Sequence, residues 1–308
     1  MALRPTLALL LGLSSVLTLS TAVPSDWIEY TPGTCNIVIS SPHGGSKRVS
    51  EIPDDRTDGC LDGGNVCQWE KDCSPADGSK CRASTFRDSY TQEIAAMVVQ
   101  HLSETYGCQP HFVRSNVHRS KMDPNREPAE GTQGDPVALE AWKKYHDEFM
   151  SSAVAAVRSQ WVKGLVFDIH GQTHAEQWTE LGYLVSGYRL DNTPSDLASS
   201  SIRGLWSRSG ADSAATSSLL TGAKSLGSML EKRGQKVVPG PTYPSPNGGN
   251  YFSGGYIVER YGSLASGEVD SIQVEIPREI RFDSARRAAF AADLASSIDE
   301  FRKSNGYA

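Results

Sequence analysis

The chain has 308 residues, 38% of them hydrophobic, enough for one large domain with a sizeable core. Its formal charge of −6 disfavours nucleic acid or an anionic membrane as the main partner. After the N-terminus no stretch approaches the roughly 18 consecutive apolar residues of a membrane span, and no Pro/Ser-rich linker, charge block or internal repeat divides the sequence.

In chain order, Met1 to Ala22 combine an early Arg4, the apolar run LALLLGLSSVLTL, and Ser20 and Ala22 at the spacing of a cleavage site. This pattern predicts a secretory signal peptide over 1–22, and hence an extracellular, soluble mature chain forming one domain over 23–308. Six cysteines behind such a segment argue for disulfides rather than a Cys-ligated metal. Cys60, Cys67, Cys73 and Cys81 lie in a Gly/Asp-rich stretch, expected to be a stapled surface insertion at about 56–82. Cys35 and Cys108 are then left to tie the first strand to the end of the first helix, although the sequence itself does not choose among the pairings.

The run NIVIS, 36–40, predicts a strand that breaks at SPHGG and delivers His43 to a sheet edge; an ordinary turn with a surface histidine is the alternative. Ile94, Met97, Val98 and Leu102 then recur at helical spacing up to Gly107, with Asp88 or Ser89 as candidate cap. A short strand at Phe112 to Arg114 opens into a polar turn bearing Arg119, Asp123, Asn125 and Arg126. Clustered guanidinium groups there suit a carboxylate clamp, against the alternatives of a solvated basic loop or an Asp123–Arg126 pair. A helix over 137–157 feeds the segment LVFDIHGQTH, 165–174, which reads as a buried parallel strand ending at the carboxyl edge of a sheet. His170 at that edge has Asp168 two positions before it, His174 four after it, and Gly171 to let the chain turn away, an arrangement able to ligate a metal.

Beyond it, ELGYLVSG (180–187) predicts a strand, 195–206 and 214–232 predict helices, and the Pro/Gly-rich stretch 237–255 suits an active-site rim. YIVERYG and DSIQVEIPRE predict the last strands, and 285–301 a closing helix. Glu275 sits among Ile272, Val274 and Ile276, and alternation puts it with Gln273 on the opposite face, which leaves open whether it is a buried carboxylate or an exposed strand residue. Strands alternating with helices give an α/β fold: three layers, with a mixed, largely parallel sheet flanked by helices.

Taken in order, SPHGG, RDS, RSKMDPNRE, DIHG, GGYIVERYG and QVEIPRE resemble the N-formylglutamate amidohydrolase family, itself similar in fold and site layout to the zinc carboxypeptidases, over roughly Ile37 to Phe301. The resemblance implies Zn²⁺ held by His43, Asp88 and His170, and Glu275 as general base. It also implies Asn125 and Arg126 as the pair that grips a substrate carboxylate, with Arg119 as their helper; separately, an arginine near the metal would polarise the carbonyl or stabilise the oxyanion, and Arg119 is the candidate. Where the carboxypeptidases take their first histidine and acid from one HxxE, Ser46 stands at the third position after His43, so Glu51 and Asp54 compete with Asp88. Two imidazoles and a carboxylate leave zinc a free position for water, and no GxSxG elbow offers a serine alternative. The expected activity is that of a secreted amidohydrolase acting on an N-acyl amino acid or small peptide-like substrate with a free carboxylate, in one catalytic domain. A carboxypeptidase-type metallopeptidase and a non-catalytic secreted binding protein are the alternatives.

Overall fold

In the computed structural model, which describes residues 23–62, 64, 66–69 and 80–307, the apolar runs lie side by side in a seven-stranded sheet. The expected signal peptide and Cys73 fall outside the described residues. The strands are β1 Ile28–Thr31, β2 Ile37–Ser41, β3 His111–Ser115, β4 Gly164–Gln172, β5 Thr179–Gly182, β6 Val237–Val238 and β7 Val269–Pro277. Across the sheet they run β1-β3-β2-β4-β7-β5-β6. The four middle strands are parallel, while β1 and β5 run antiparallel to β3 and β7.

Both faces of the middle strands are covered, which is why they read as nearly continuous apolar runs. Ile37, Ile39, Phe167, Ile169, Ile272 and Val274 point to one side. There they meet α1, Thr91–Tyr106, and the C-terminal α2, Ser284–Ser304, through Ile94, Val98, Leu102, Phe290 and Leu294. On the other side Val38, Val113 and Val166 meet Tyr145, Val154 and Val157 from the helical run 136–161. The three-layer α/β arrangement expected from the sequence is therefore present. That second run is helical throughout, but Lys144–Met150 forms a π-helical turn between Pro136–Lys143 and Ser151–Trp161. The turn seats His146 in the core, donating Nε2–H to the Pro124 carbonyl at 2.7 Å and accepting at Nδ1 from the Tyr261 hydroxyl at 3.0 Å. Burial pushes this imidazole down to about 3, so it stays neutral and pins the residue just before Asn125.

Four expectations are corrected. YIVERYG is a helix, Tyr256–Tyr261, not a strand. The Asn125 side chain, distant in sequence, accepts a hydrogen bond from Ile257 N at 2.9 Å and so supplies the cap that the local sequence lacks. The helix expected at 195–206 is confined to Arg203–Arg208 after a separate turn at Gly187–Asp191, and 214–232 divides into Ser213–Leu220 and Leu226–Glu231, the latter capped by Ser225. Gly171 continues β4 rather than turning the chain. Its missing side chain makes room for Arg281, whose guanidinium would lie 2.3 Å from a Cβ there.

Cys35 and Cys108 are disulfide-bonded, tying the entry of β2 to the second residue after α1, as expected. Cys67 pairs with Cys81, and Cys60 is disulfide-bonded as well. The stapled insertion carries its own small sheet of Gly59–Leu61, Cys67–Gln68 and Lys80–Cys81. Because the first bridge closes a loop of 73 residues in sequence, its removal in Cys35→Ser/Cys108→Ser should cost about 2–5 kcal/mol. Urea unfolding of the two proteins checks this; coincident midpoints would show that the bridge adds nothing.

Candidate functional site

Adjacent parallel strands β2 and β4 end at the same sheet edge, and this neighbourhood brings together histidines 127 positions apart in sequence. His43 follows β2, and His170 lies within the last residues of β4. Asp88 arrives from the turn before α1, where its backbone N–H donates to the His43 carbonyl at 2.9 Å. It does not cap the helix: Tyr90 occupies that position, with φ 70° and no side-chain bond, and the Asp88 carboxylate turns inward. Asp88 Oδ2 lies 3.3 Å from His43 Nδ1 and 3.2 Å from His170 Nδ1, and accepts from Gly171 N at 3.2 Å. The ligating atoms of the three residues all lie within 4.8 Å of one another. Glu51 and Asp54 are exposed and take no part in this cluster.

The far nitrogen of each imidazole faces a second buried carboxylate. His43 Nε2 donates to Asp123 Oδ1 at 2.6 Å, and His170 Nε2 donates to Asp168 Oδ2 at 2.7 Å. Rings held this way direct Nδ1 toward Asp88, the orientation that metal-bound histidines owe to their outer partners. Asp168 is itself anchored by the Ser40 hydroxyl at 2.7 Å, and Asp123 by Arg119 Nε at 2.8 Å and by Arg56. Asp123 therefore does not pair with Arg126, which instead donates to Glu130 Oε1 at 3.0 Å. Burial works to raise Asp88 and Asp123, but the first is held well below the usual carboxylate range by His43, His170 and Arg119, the second by Arg119, His43 and Arg56. Burial works against charge on His170, yet Asp168 foremost, then Asp88, hold it well above its ordinary value.

The buried His43 Nδ1 makes no hydrogen bond although it faces Asp88. An orphaned lone pair among two oriented imidazoles and an ionised carboxylate is what a divalent cation would satisfy, with the ion replacing the proton on His170. The three residues thus fit a metal.

Glu275 stands opposite His170 in β4 and Glu180 in β5. It is buried, not an exposed strand residue, because the helical layer and the rim cover that face. A relay aims it: Ile257 N donates to Asn125 Oδ1, Asn125 Nδ2 to Gln273 Oε1 at 3.4 Å, and Gln273 Nε2 to Glu275 Oε1 at 3.0 Å. Gly255 permits the close passage of Asn125, whose side chain would lie 2.4 Å from a Cβ there. Glu275 Oε2 is left buried without a partner. Burial pushes its carboxyl up to about 8, with Asp88 and Glu180 adding to the effect and His170 opposing it.

His43, Asp88, His170, Glu275, Arg119 and Arg126 line one cleft of about 330 Å³, joined by Asn125. Every site residue expected from the sequence therefore reaches the same cavity. The reading missed the orienting role of Asp123, which resembled a local salt-bridge partner, and of Gln273, whose only signal was sharing a face with Glu275. Arg281 was missed too. Its nitrogens donate to the carbonyls of Ser89, Gln172 and Ile276, clamping three segments that end at this edge.

No protein-family model and no curated protein matches the sequence. Among solved structures the chain is similar to the gene product Atu2144 from Agrobacterium tumefaciens, at 12% identity and TM-score 0.48, covering 90% of this chain and 95% of that one. It is similar to N-formylglutamate amidohydrolase from Ralstonia eutropha JMP134, at 14% identity and TM-score 0.45, covering 90% and 97%. A bacteriophage poly-gamma-glutamate hydrolase is similar at 11% identity and TM-score 0.35, covering 90% and 89%. At these values the chemistry has to be read from the residues of this site.

Two outcomes follow from the geometry. Asp123→Asn, which keeps shape but removes the charge behind His43, should weaken metal binding by about 10- to 100-fold, read by titration with a chelating competitor; an affinity like that of the wild type would remove Asp123 from the metal's outer shell. Glu275 is shifted from 4.5 to about 8, so between these values the folded, ion-free chain holds a proton that the unfolded chain has lost. Stability from this group therefore falls as pH rises from about 4.5 through 8, and the raised His170 adds a decline of the same sign. Glu275→Gln should flatten the carboxyl's share of that decline, and a variant whose unfolding midpoint tracks wild type across the window would contradict the shift.

Proposed function

We propose that the protein is a secreted zinc-dependent amidohydrolase that cleaves the amide bond of an N-acyl amino acid or small peptide-like substrate carrying a free carboxylate. One observation carries this reading: three ligating atoms converge in the same cleft as a buried carboxyl, Glu275, whose Oε2 has no partner. His43, Asp88 and His170 would hold the ion, and two nitrogens with one carboxylate oxygen suit zinc. When bound, the ion supplies positive charge that polarises a carbonyl and acidifies water. Glu275 is the base that accepts a proton from the attacking water, and burial raises its carboxyl's affinity for protons. Arg119, one edge of which is spent on Asp123, lies 3.6 Å from Asp88 Oδ1 and lines the cleft where a developing oxyanion needs positive charge.

The cleft volume suits an amino-acid-sized ligand. Arg126, half-buried at its wall, has Nε on Glu130 and Nη1 on the Asn125 carbonyl, which hold its plane for a second, substrate carboxylate. The disulfides support an oxidising compartment, and no helix among the described residues is long and apolar enough to cross a membrane. A single catalytic domain over 23–308, preceded by a signal peptide, remains our reading of the chain's organisation. A metallopeptidase reading is favoured by one feature: a second chamber of about 510 Å³, lined by Trp69 and Tyr256, shares Asn125, Arg126, Gly254 and Gly255 with the cleft and would accommodate a longer chain.

In the test, Glu275→Gln should keep metal and fold but lose hydrolysis by a factor on the order of 10²–10⁴, since the change removes a base without removing volume. Unaltered turnover would sink the mechanism. Arg126→Lys should raise KM or lower kcat/KM for N-acyl amino acids while metal content is preserved. Equal impairment on the matching neutral amides would show instead that Arg126 only holds its turn.

A further inference from the structure

Outside the metal cluster, the same cleft contains a second imidazole–carboxylate pair. His174 lies two residues past the end of β4 and does not join the three residues around Asp88. Its Nδ1 donates to Glu180 Oε1 at 2.7 Å. Glu180 is fully buried on β5 and also accepts from Trp178 Nε1 at 3.2 Å on the same oxygen and from Phe252 N at 2.7 Å on the other. The ring packs at a tilt against Phe252, centroids 4.6 Å apart, and the backbone N–H of His174 is held by Gln172 Oε1. These contacts fix the ring's orientation, and the buried carboxylate favours the proton on Nδ1.

His146 in the core of this protein uses both nitrogens. His174 does not. Its Nε2 has no hydrogen-bond partner among the described residues, is not among the buried unpaired atoms, and belongs to a side chain 19% exposed that lines the 330 Å³ cleft with Glu275. An imidazole backed by a buried carboxylate, with its outer nitrogen open to a reaction cleft, is arranged for proton transfer.

We propose that His174, positioned by Glu180, is the acid that protonates the leaving nitrogen, so that the two proton transfers of amide cleavage are divided between two residues. This rests on the amidohydrolase reading above. The attacking water forms the new C–O bond and gives one proton to Glu275. As the C–N bond breaks, its electron pair stays on nitrogen and takes the proton from His174 Nε2, while the carbonyl reforms. The neutral imidazole recovers a proton from Glu275 through cleft water, and the product acid loses its own proton to solvent. Every proton comes from the consumed water or the resting enzyme, and no other reactant is needed.

The experiment compares two substrates with the same acyl group and a free carboxylate in the zinc-loaded protein. One is an N-acyl amino acid, whose nitrogen cannot leave unprotonated; the other is an acyloxy-nitrobenzoate ester, whose phenolate can. His174→Gln, which still offers Glu180 a donor, should lose about 10²-fold in kcat on the amide and less than about threefold on the ester. Metal content should not change, and His174→Ala should regain amide turnover with added imidazole. Parallel losses on both substrates, or an unaffected amide rate, would overturn the assignment while leaving the hydrolase reading intact. If wild type cleaves neither substrate at full metal occupancy, the hydrolase reading fails, and the assignment fails with it.

Discussion

The constraint on which this molecule depends is the burial of the Asp88 carboxylate between two imidazoles. An ionised carboxylate removed from water is costly unless every oxygen is paired. Here Oδ2 is met by Gly171 N and His170 Nδ1 and faces His43 Nδ1, and Oδ1 faces Arg119. To satisfy it, the end of β2, the turn before α1 and the end of β4 must arrive together. The parallel pairing of β2 with β4 puts the two histidines side by side, and the Asp88 N–H to His43 carbonyl bond holds the turn against them. Arg281 ties the same turn to β4 and β7 through Ser89, Gln172 and Ile276. A cation between the imidazoles would relieve the same electrostatic demand that protons relieve in its place.

Around that centre, strand alternation sorts the chemistry. Ser40, Asp168, His170, Gln273 and Glu275 fall on one face of three adjacent strands, while Ile39, Phe167, Ile169, Val274 and Ile276 supply the oily core beneath α1 and α2. The polar face is not a loose collection of charges. Asp168 is held by Ser40, Asp123 by Arg119, and Glu275 by Gln273 and Asn125, while two buried atoms left unpaired, His43 Nδ1 and Glu275 Oε2, belong to residues that line the cleft. Buried networks of this kind are rigid because each member that moved would strand another. The π-helical turn contributes from behind: His146 holds the Pro124 carbonyl and thereby the loop that presents Asn125.

Much of this was legible in the sequence. NIVIS, LVFDIHG and DSIQVEIPRE carry the period and composition of buried strands, and the structure places strands there within a residue or so. The histidines and Glu275 stood out because polar residues at the ends of apolar strands are expensive unless used. The short helix at 256–261 was misread because Ile257, Val258 and Tyr261 favour a strand locally, while the decisive contact, the Asn125 cap, comes from a distant segment. Asp88 looked like a cap because one residue window cannot tell an aspartate serving its own helix from one turned toward two distant imidazoles.

By itself, then, the sequence determined which polar residues stand at the ends of apolar strands and in the turns beside them, since periodicity and charge are local properties. It also determined the α/β layering, because alternating strand and helix patterns have few ways to bury both faces of a sheet. Only the tertiary structure decided which acid completes the cluster, that Asp123 and Asp168 orient the imidazoles, that Arg126 is tied to Glu130, and that His174 turns a free nitrogen to the cleft. Those outcomes depend on strand order and on distances between segments scores of residues apart, and desolvation couples them, so no stretch of the chain encodes them alone.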